Sequence, residues 1–235
     1  MSGGTEHPIF ATFEEAWSAF LERGHIVPIE RQRERFLRGR AQYLSLQVPI
    51  AEMDVAGEIE ATCDVLEDID GLILIPPELL HISIRGVGFQ VIATAHPGDI
   101  LREEVGPIGQ RVAKALRGVK PLAIEIGPVN VFPDALILEV RPIDEMRELL
   151  RRVDEAIGGR DAFPYTLERY LPHVTIASFR DESVVAALRG RLPPMREEAP
   201  TSDRIRRIDY VRWWFTGLDP AEWPELDTIR SYRAG

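Results

Sequence analysis

Cysteine is almost absent: Cys63 stands alone among 235 residues. An internal disulfide is therefore excluded, and a reducing compartment is expected. Long apolar runs are also missing, and none approaches the ~20 residues that a membrane-spanning helix requires. The N-terminal stretch MSGGTEHPIF lacks a basic region followed by an apolar one, so no secretory signal is expected. A cytoplasmic protein with no membrane partner is the resulting expectation. Basic charge is in deficit, with 28 Lys and Arg against 38 Asp and Glu, a net charge of −10. That argues against an extended nucleic-acid surface, which needs a basic stripe. A small anionic substrate in a local pocket stays compatible with it. Metal-binding patterns are missing too. There is no His-Glu-x-x-His, no cysteine pair, and only five histidines, so neither a metal nor another cofactor is expected.

What remains is an ordinary core-forming composition, 45% hydrophobic and 28% charged. The first 42 residues read as helical. In TFEEAWSAFLERG, Thr12 and Glu15 have capping-box spacing, and Phe13, Ala16, Trp17, Phe20 and Leu21 share one helix face. Gly24 is the stop signal. A second helix is expected from Pro28 to Gly39. Arg31, Arg33, Arg35, Arg38 and the adjacent Arg40 form a basic segment. It reads first as a solvated helix face, with a local anion-attracting surface as the sharper alternative.

Strands and helices alternate from Tyr43 onward. Strands are expected at Tyr43–Ile50, on either side of Pro76-Pro77, at PLAIEIGPVNVF, DALILEV and YLPHVTIASF, and in IRRIDYVRWWF and LDTIRSYR. Helices are expected over 54–69, at EEVGPIGQRVAKALRG, at IDEMRELLRRVDEAIGG and at DESVVAALRGRL. Cys63 falls in the first of these as a buried thiol. LPPMREEAPTSD reads as an exposed loop.

Two apolar segments carry one histidine each, HISI at His81 and HVTI at His173. In a strand, residues two apart share a face. His81 and Ser83 therefore share one face, as do His173 and Thr175. By chance, two His-x-hydroxyl units would occur in roughly one such sequence in twenty, so the case rests on context. The offset that separates the histidines also carries LSLQV at Leu44 onto LILEV at Leu136. A helix follows each strand, and the histidine segment follows the helix. This predicts two strand–helix–strand halves about an approximate two-fold axis, with both polar pairs facing one cleft. Two imidazoles can supply a base and an acid, and two hydroxyls can hold phosphate oxygens. In-line displacement at phosphorus needs base and acid on opposite sides. A purely recognising site for a nucleotide or RNA end would use the same hydroxyls and arginines without proton transfer. A structural or docking role is a third reading.

IPPELLHISIR, YLPHVTIASF and IGPVNVFPDALILEV together resemble the two-histidine (2H) phosphoesterase superfamily, nearest its bacterial 2′–5′ RNA ligase-like branch. The resemblance covers about Tyr43 to the C-terminus. It implies an α+β, bilobal, duplicated fold, with two antiparallel β-sheets flanking a central cleft and helices outside. Residues 43–235 would form that two-lobed domain, and residues 1–42 would be a helical extension. It implies metal-independent hydrolysis of 2′,3′-cyclic phosphate or 2′–5′ phosphodiester bonds in nucleotides or RNA ends, with ligation as the reverse reaction. His81 and His173 would be the acid and base, in an order the sequence leaves open. Ser83 and Thr175 would bind phosphate. Arg85 and Tyr170 are further candidates for substrate contact. RGVGFQ after the first motif and ASFR after the second depart from the usual pattern and bear on the substrate. The oligomeric state is not set by the sequence.

Overall fold

The computed structural model describes residues 10–159, 167–219 and 222–235. The chain begins with α1 (Phe13–Arg23) and α2 (Ile29–Leu37), then β1 (Gln42–Pro49) and α3 (Ala56–Asp64). β2 (Leu72–Leu74), β3 (His81–Val91), β4 (Asp99–Leu101) and α4 (Val105–Ala115) follow. Next come β5 (Leu122–Phe132), β6 (Ala135–Arg141), α5 (Ile143–Ile157) and β7 (His173–Phe179). α6 (Val184–Arg196), β8 (Thr201–Ile205), β9 (Arg207–Trp214) and β10 (Glu225–Arg233) end it.

The strands run in the order β10-β9-β1-β3-β7-β6-β5-β8, with β2 beside β7 and β4 beside β3. The architecture is the expected α+β one, and two antiparallel groups are evident. One is β10-β9-β1-β3 and the other β7-β6-β5-β8. They meet through one residue pair, Ile82↔Val174. Further along β7, the partner is β2, at Leu74↔Ala177 and beyond. The two sheets are thus continuous at a narrow seam and splay apart on either side of it.

Alternation decides what faces what. Leu44, Leu46 and Val48 of β1, Ile82 and Ile84 of β3, Leu136, Leu138 and Val140 of β6, and Val174 and Ile176 of β7 enter one large core. Residues of α3, α4, α5 and α6 complete it, among them Ile59, Ile108, Val112, Leu149, Val153, Val184 and Leu188. The opposite face carries the histidines. In the second half it holds a separate cluster in which Phe13 of α1 packs with Ala135, Ile137 and Leu171. In the first half, Leu79, Val211 and Trp213 form another, with Tyr43, Phe215 and Trp223 against them.

Local signals read from the sequence recur at α1. The Thr12 hydroxyl accepts the Glu15 N–H at 3.1 Å, and the Ala11 N–H reaches the Glu15 carboxylate at 2.8 Å. Gly24 closes the helix in the left-handed region, at φ 61°. The N-terminal reading of residues 1–9 lies outside the described residues. The loop expected at LPPMREEAPTSD is corrected in two places. α6 runs through Pro193 and Pro194, because Leu192 and Met195 continue its buried stripe from Val184 and Leu188. Burial outweighs the loss of two backbone donors near the helix end. TSDRI then pairs with β5 as β8. The repeat is also refined. The partners of Ile82 and Val174 are Val48 and Leu138, so the strand offset is 90 residues while the histidine offset is 92. A two-residue slip leaves every side chain on its face.

Candidate active site

β3 and β7 both begin at their histidine. Ile82 and Val174 point into the core and are fully buried, so the residues flanking them point to the other face. In an antiparallel pair centred on Ile82↔Val174, His81 lies across from Thr175, and Ser83 across from His173. Four polar side chains from two halves thereby converge at the seam. Diagonal neighbours on such a ladder lie ~7–8 Å apart, the right scale for a phosphoryl group between two imidazoles.

Each ring is held in the same way. His81 Nδ1 lies 2.8 Å from the Leu79 carbonyl, and His173 Nδ1 lies 2.7 Å from the Leu171 carbonyl. A carbonyl can only accept, so Nδ1 carries the proton in both rings and Nε2 is left to the cleft. His81 Nε2 is 3.1 Å from Ser83 Oγ, which donates to it when the ring is neutral. Each ring also has an aromatic wall. Trp213 of β9 is 5.1 Å from His81, and Phe132 of β5 stands edge-on to His173 at 5.0 Å. Trp213 is fixed in turn by donating Nε1–H to Ser45 Oγ at 2.9 Å.

Both imidazoles are half-buried. Burial pushes His81 down to about 4, opposed by its hydrogen bond to the Leu79 carbonyl and assisted by the nearby charge of His173. Burial lowers His173 as well, opposed by the Leu171 carbonyl and the Asp134 carboxylate. The two rings are thus matched in backbone support and unequal in charge environment.

Tyr170 sits next to this group. Its hydroxyl donates to the Ser83 carbonyl at 2.7 Å, tying the segment before β7 to β3, and burial raises its pKa, which keeps it a donor. Arg85 is placed elsewhere. A register shift between Leu46 and Gln47 sets Arg85 opposite Leu46, a core residue. Its guanidinium is buried and pairs with Asp154 of α5 at 2.8 Å. The bulge turns it away from the face that His81, Ser83, His173 and Thr175 share. The Leu79 and Leu171 carbonyls, Trp213 and Phe132 were not anticipated from sequence. The only advance signal was the apolar residue two places before each histidine, in ELLH and YLPH.

Among the described residues, no group of three or more His, Cys, Asp or Glu could hold a metal ion. No described helix is long and apolar enough to cross a membrane. Two open grooves, of about 610 and 470 Å³, are lined by other residues and by no histidine. Convergent chemistry, and not groove size, therefore locates the candidate site.

Comparisons with known proteins give a family and a fold. The profile of the 2′-5′ RNA ligase superfamily matches residues 80–213, a span holding both histidine segments. The chain is similar in fold to TT0787 of Thermus thermophilus, with a TM-score of 0.60 and 15% identity over 81% of this chain and 97% of that one. It is similar to E. coli LigT complexed with NADP+, with a TM-score of 0.60 and 9% identity over 83% and 99%. LigT complexed with 3′-AMP gives 0.57 and 8% over 83% and 98%. The comparison with curated proteins yields no match.

Proposed function

We propose, for a chain that belongs to the 2′-5′ RNA ligase superfamily, a phosphodiesterase of 2′,3′-cyclic phosphates or 2′–5′ phosphodiester bonds that uses His81 and His173 as its acid–base pair. The observation that carries this reading is the pair of Nδ1-anchored imidazoles, each beside a hydroxyl, on one face of the seam. E. coli LigT has been crystallised with ATP and with 3′-AMP, which supports nucleotides or RNA termini as the substrate class here.

In the cyclic phosphate reaction, water attacks phosphorus in line with the departing ribose oxygen. One neutral imidazole takes the proton of the water at Nε2. The other, protonated, delivers its Nε2 proton to the ribose oxygen as the P–O bond breaks, leaving a 2′- or 3′-phosphate monoester. Ser83 and Thr175 donate hydrogen bonds to the non-bridging oxygens, where charge is greatest. The scheme needs no metal. We assign the base to His81, whose burial and proximity to His173 disfavour a proton, and the acid to His173, which the Asp134 carboxylate favours in charged form. An anionic substrate between the rings raises both basicities on binding. With a 5′-hydroxyl in place of water as nucleophile, opening of the 2′,3′-cyclic phosphate expels the 3′-oxygen and leaves a 2′–5′ bond, so ligation would use the same groups. Arg85, paired with Asp154, is left out of the substrate-contact set. Tyr170 is kept as a contact at the rim.

The test is incubation of the purified protein with the four 2′,3′-cyclic nucleotides in the presence of a chelator. Monoester product that vanishes in His81→Ala and His173→Ala is the expected result. Binding without product would replace this reading with a nucleotide-recognising module. Neither binding nor product, there or with 2′–5′-linked dinucleotides, would refute it.

A further inference from the structure

The N-terminal segment has a place in the site that the proposed chemistry does not use. The similar structures are covered over 97–99% of their length, while 81–83% of this chain is covered. Residues 1–42, the helical extension expected from the sequence, hold α1 and α2. The aromatic contacts of the two helices within that segment lead to the two histidines, one helix to each, and Gln32 of α2 also holds the β5–β6 turn on the His173 side.

Behind His173, Phe13 of α1 stacks on Phe132 with ring centroids 6.3 Å apart and 12° between planes. Phe132 is the ring standing edge-on to His173. Phe13 is also buried against Leu171, whose carbonyl anchors the His173 ring. Behind His81, Phe36 of α2 packs edge-on to Tyr43 at 4.8 Å and to Phe215 at 5.9 Å. Tyr43 pairs in register with Trp213, the ring beside His81, and both belong to the cluster of Leu79, whose carbonyl anchors His81. Arg33 of α2 is buried and donates to the carbonyls of Asp219 and Glu222, with its guanidinium over Trp223. The connection between the helices is itself pinned. The Val27 N–H donates to the Pro133 carbonyl at 2.6 Å, and Gln32 Nε2 donates to the Val27 and Asp134 carbonyls at 2.7 and 2.8 Å.

We infer that residues 12–40 act as a brace for the acid–base pair. α1 positions His173 through Phe132 and Leu171, and α2 positions His81 through Tyr43, Trp213 and Leu79. Phe13 and Phe36 are positioning residues, since among the described residues the ring contacts of both are with other aromatic side chains. The effect on turnover rests on the proposed phosphodiesterase reading; the effect on the rings does not. A misplacement on the order of 1 Å can cost ~10²-fold in rate, so a support two contacts away can govern catalysis without touching substrate.

The full-length chain with Phe13→Leu or Phe36→Leu tests this, with folding checked by circular dichroism and Tm. The direct readout is NMR of the His ring Cε1–H signals, assigned with His81→Gln and His173→Gln. Phe13→Leu is expected to move the His173 signal and leave His81 in place; Phe36→Leu is expected to do the reverse. Turnover of a 2′,3′-cyclic nucleotide should fall roughly tenfold in kcat, with KM changed less than twofold. If Phe13→Leu does not fold, Gln32→Ala removes the clamp on the β5–β6 turn and is expected to move the His173 signal. Folded variants in which neither ring moves, or in which both move alike, would overturn the brace. Selective ring shifts in a protein that turns over no phosphodiester would uphold the brace and refute the proposed reaction.

Discussion

The halves that carry His81 and His173 share a backbone device and differ in nearly everything around it. In both, the strand starts at the histidine and the carbonyl two residues earlier fixes Nδ1. Around His81 stand an indole, a serine and, opposite on β1, Pro49. Around His173 stand a phenyl ring, a threonine and, opposite on β6, the buried Glu139. Among the described residues, only the second half brings a carboxylate, Asp134, into the charge balance of its histidine. Under the proposed reaction, the two imidazoles are equivalent in backbone support, and the unshared neighbours would divide the labour between them. If that is correct, matched substitutions in the two halves should have unmatched consequences.

The largest effect belongs to the rings themselves. His81→Ala and His173→Ala should each lower kcat by about 10²–10⁴-fold, the usual worth of one general acid or base, with a far smaller change in KM. The division of labour makes a finer claim. A substrate with an activated leaving group, such as a nitrophenyl ester, needs little protonation. It should restore much of the rate to His173→Ala and little to His81→Ala. Equal rescue of both variants would break the assignment of base and acid.

The hydroxyls come next. A hydrogen bond to a charged group is worth about 1.5–3 kcal/mol, so Ser83→Ala and Thr175→Val should each reduce kcat/KM roughly 10–100-fold. The loss should be greater at Ser83, because its Oγ also faces His81 Nε2. A larger loss at Thr175 would show that the Ser83 contact to the ring is incidental.

Smaller still is a stability effect. His81 is held near 4 in the folded protein against an ordinary 6.5. Between those values the unfolded chain binds more protons than the folded one, so stability falls as pH drops from about 6.5 to about 4. The full shift corresponds to about 3 kcal/mol at most, and a half-buried ring should deliver about 1–2. Urea midpoints at pH 7 and pH 4.5 should therefore converge in His81→Gln relative to the unsubstituted protein. A difference as large in the variant would assign the acid sensitivity to other groups.

The course of the chain was legible where burial and period agree. HISI and HVTI alternate core and cleft residues, and of the stripe expected on α5, Met146, Leu149, Leu150 and Val153 are buried while Ile143 is partly buried in the cluster of Phe13. Contacts set by distant partners were not legible. Nothing in HISIR signals the β-bulge that carries Arg85 to Asp154, and nothing around HVTI names Phe132 as its wall. The end of α6 and the edge strand β8 were missed because two prolines and a polar run imitate a loop. Their structure comes from Leu192 and Met195 in the core and from pairing with β5. Charge misled in a similar way. Arg33 and Arg40 belong to a basic run in sequence, yet Arg33 is buried on loop carbonyls, and Arg40 pairs with Asp99 at 2.9 Å above the Phe89 ring.

The smallest effect is expected from what is left of that run. Arg31, Arg35 and Arg38 are exposed, and they lie on or just beyond α2, the helix that backs the His81 half. Arg33 has to be spared in any test, since replacing it would release the carbonyls of Asp219 and Glu222 and disturb the cluster behind His81. Arg31→Glu with Arg35→Glu reverses charge and leaves those contacts whole. In a chain of net charge −10, these side chains offer local attraction to an anionic substrate, acting on encounter and not on chemistry. Screening over about 8 Å at physiological salt confines the benefit to low ionic strength. The double variant should therefore lose roughly two- to threefold in kcat/KM at low salt, keep its kcat, and match the unsubstituted protein at high salt. An equal kcat/KM at low salt would leave these arginines as a solvated helix face. It would also confine the difference between the two halves to the residues that touch or back the rings.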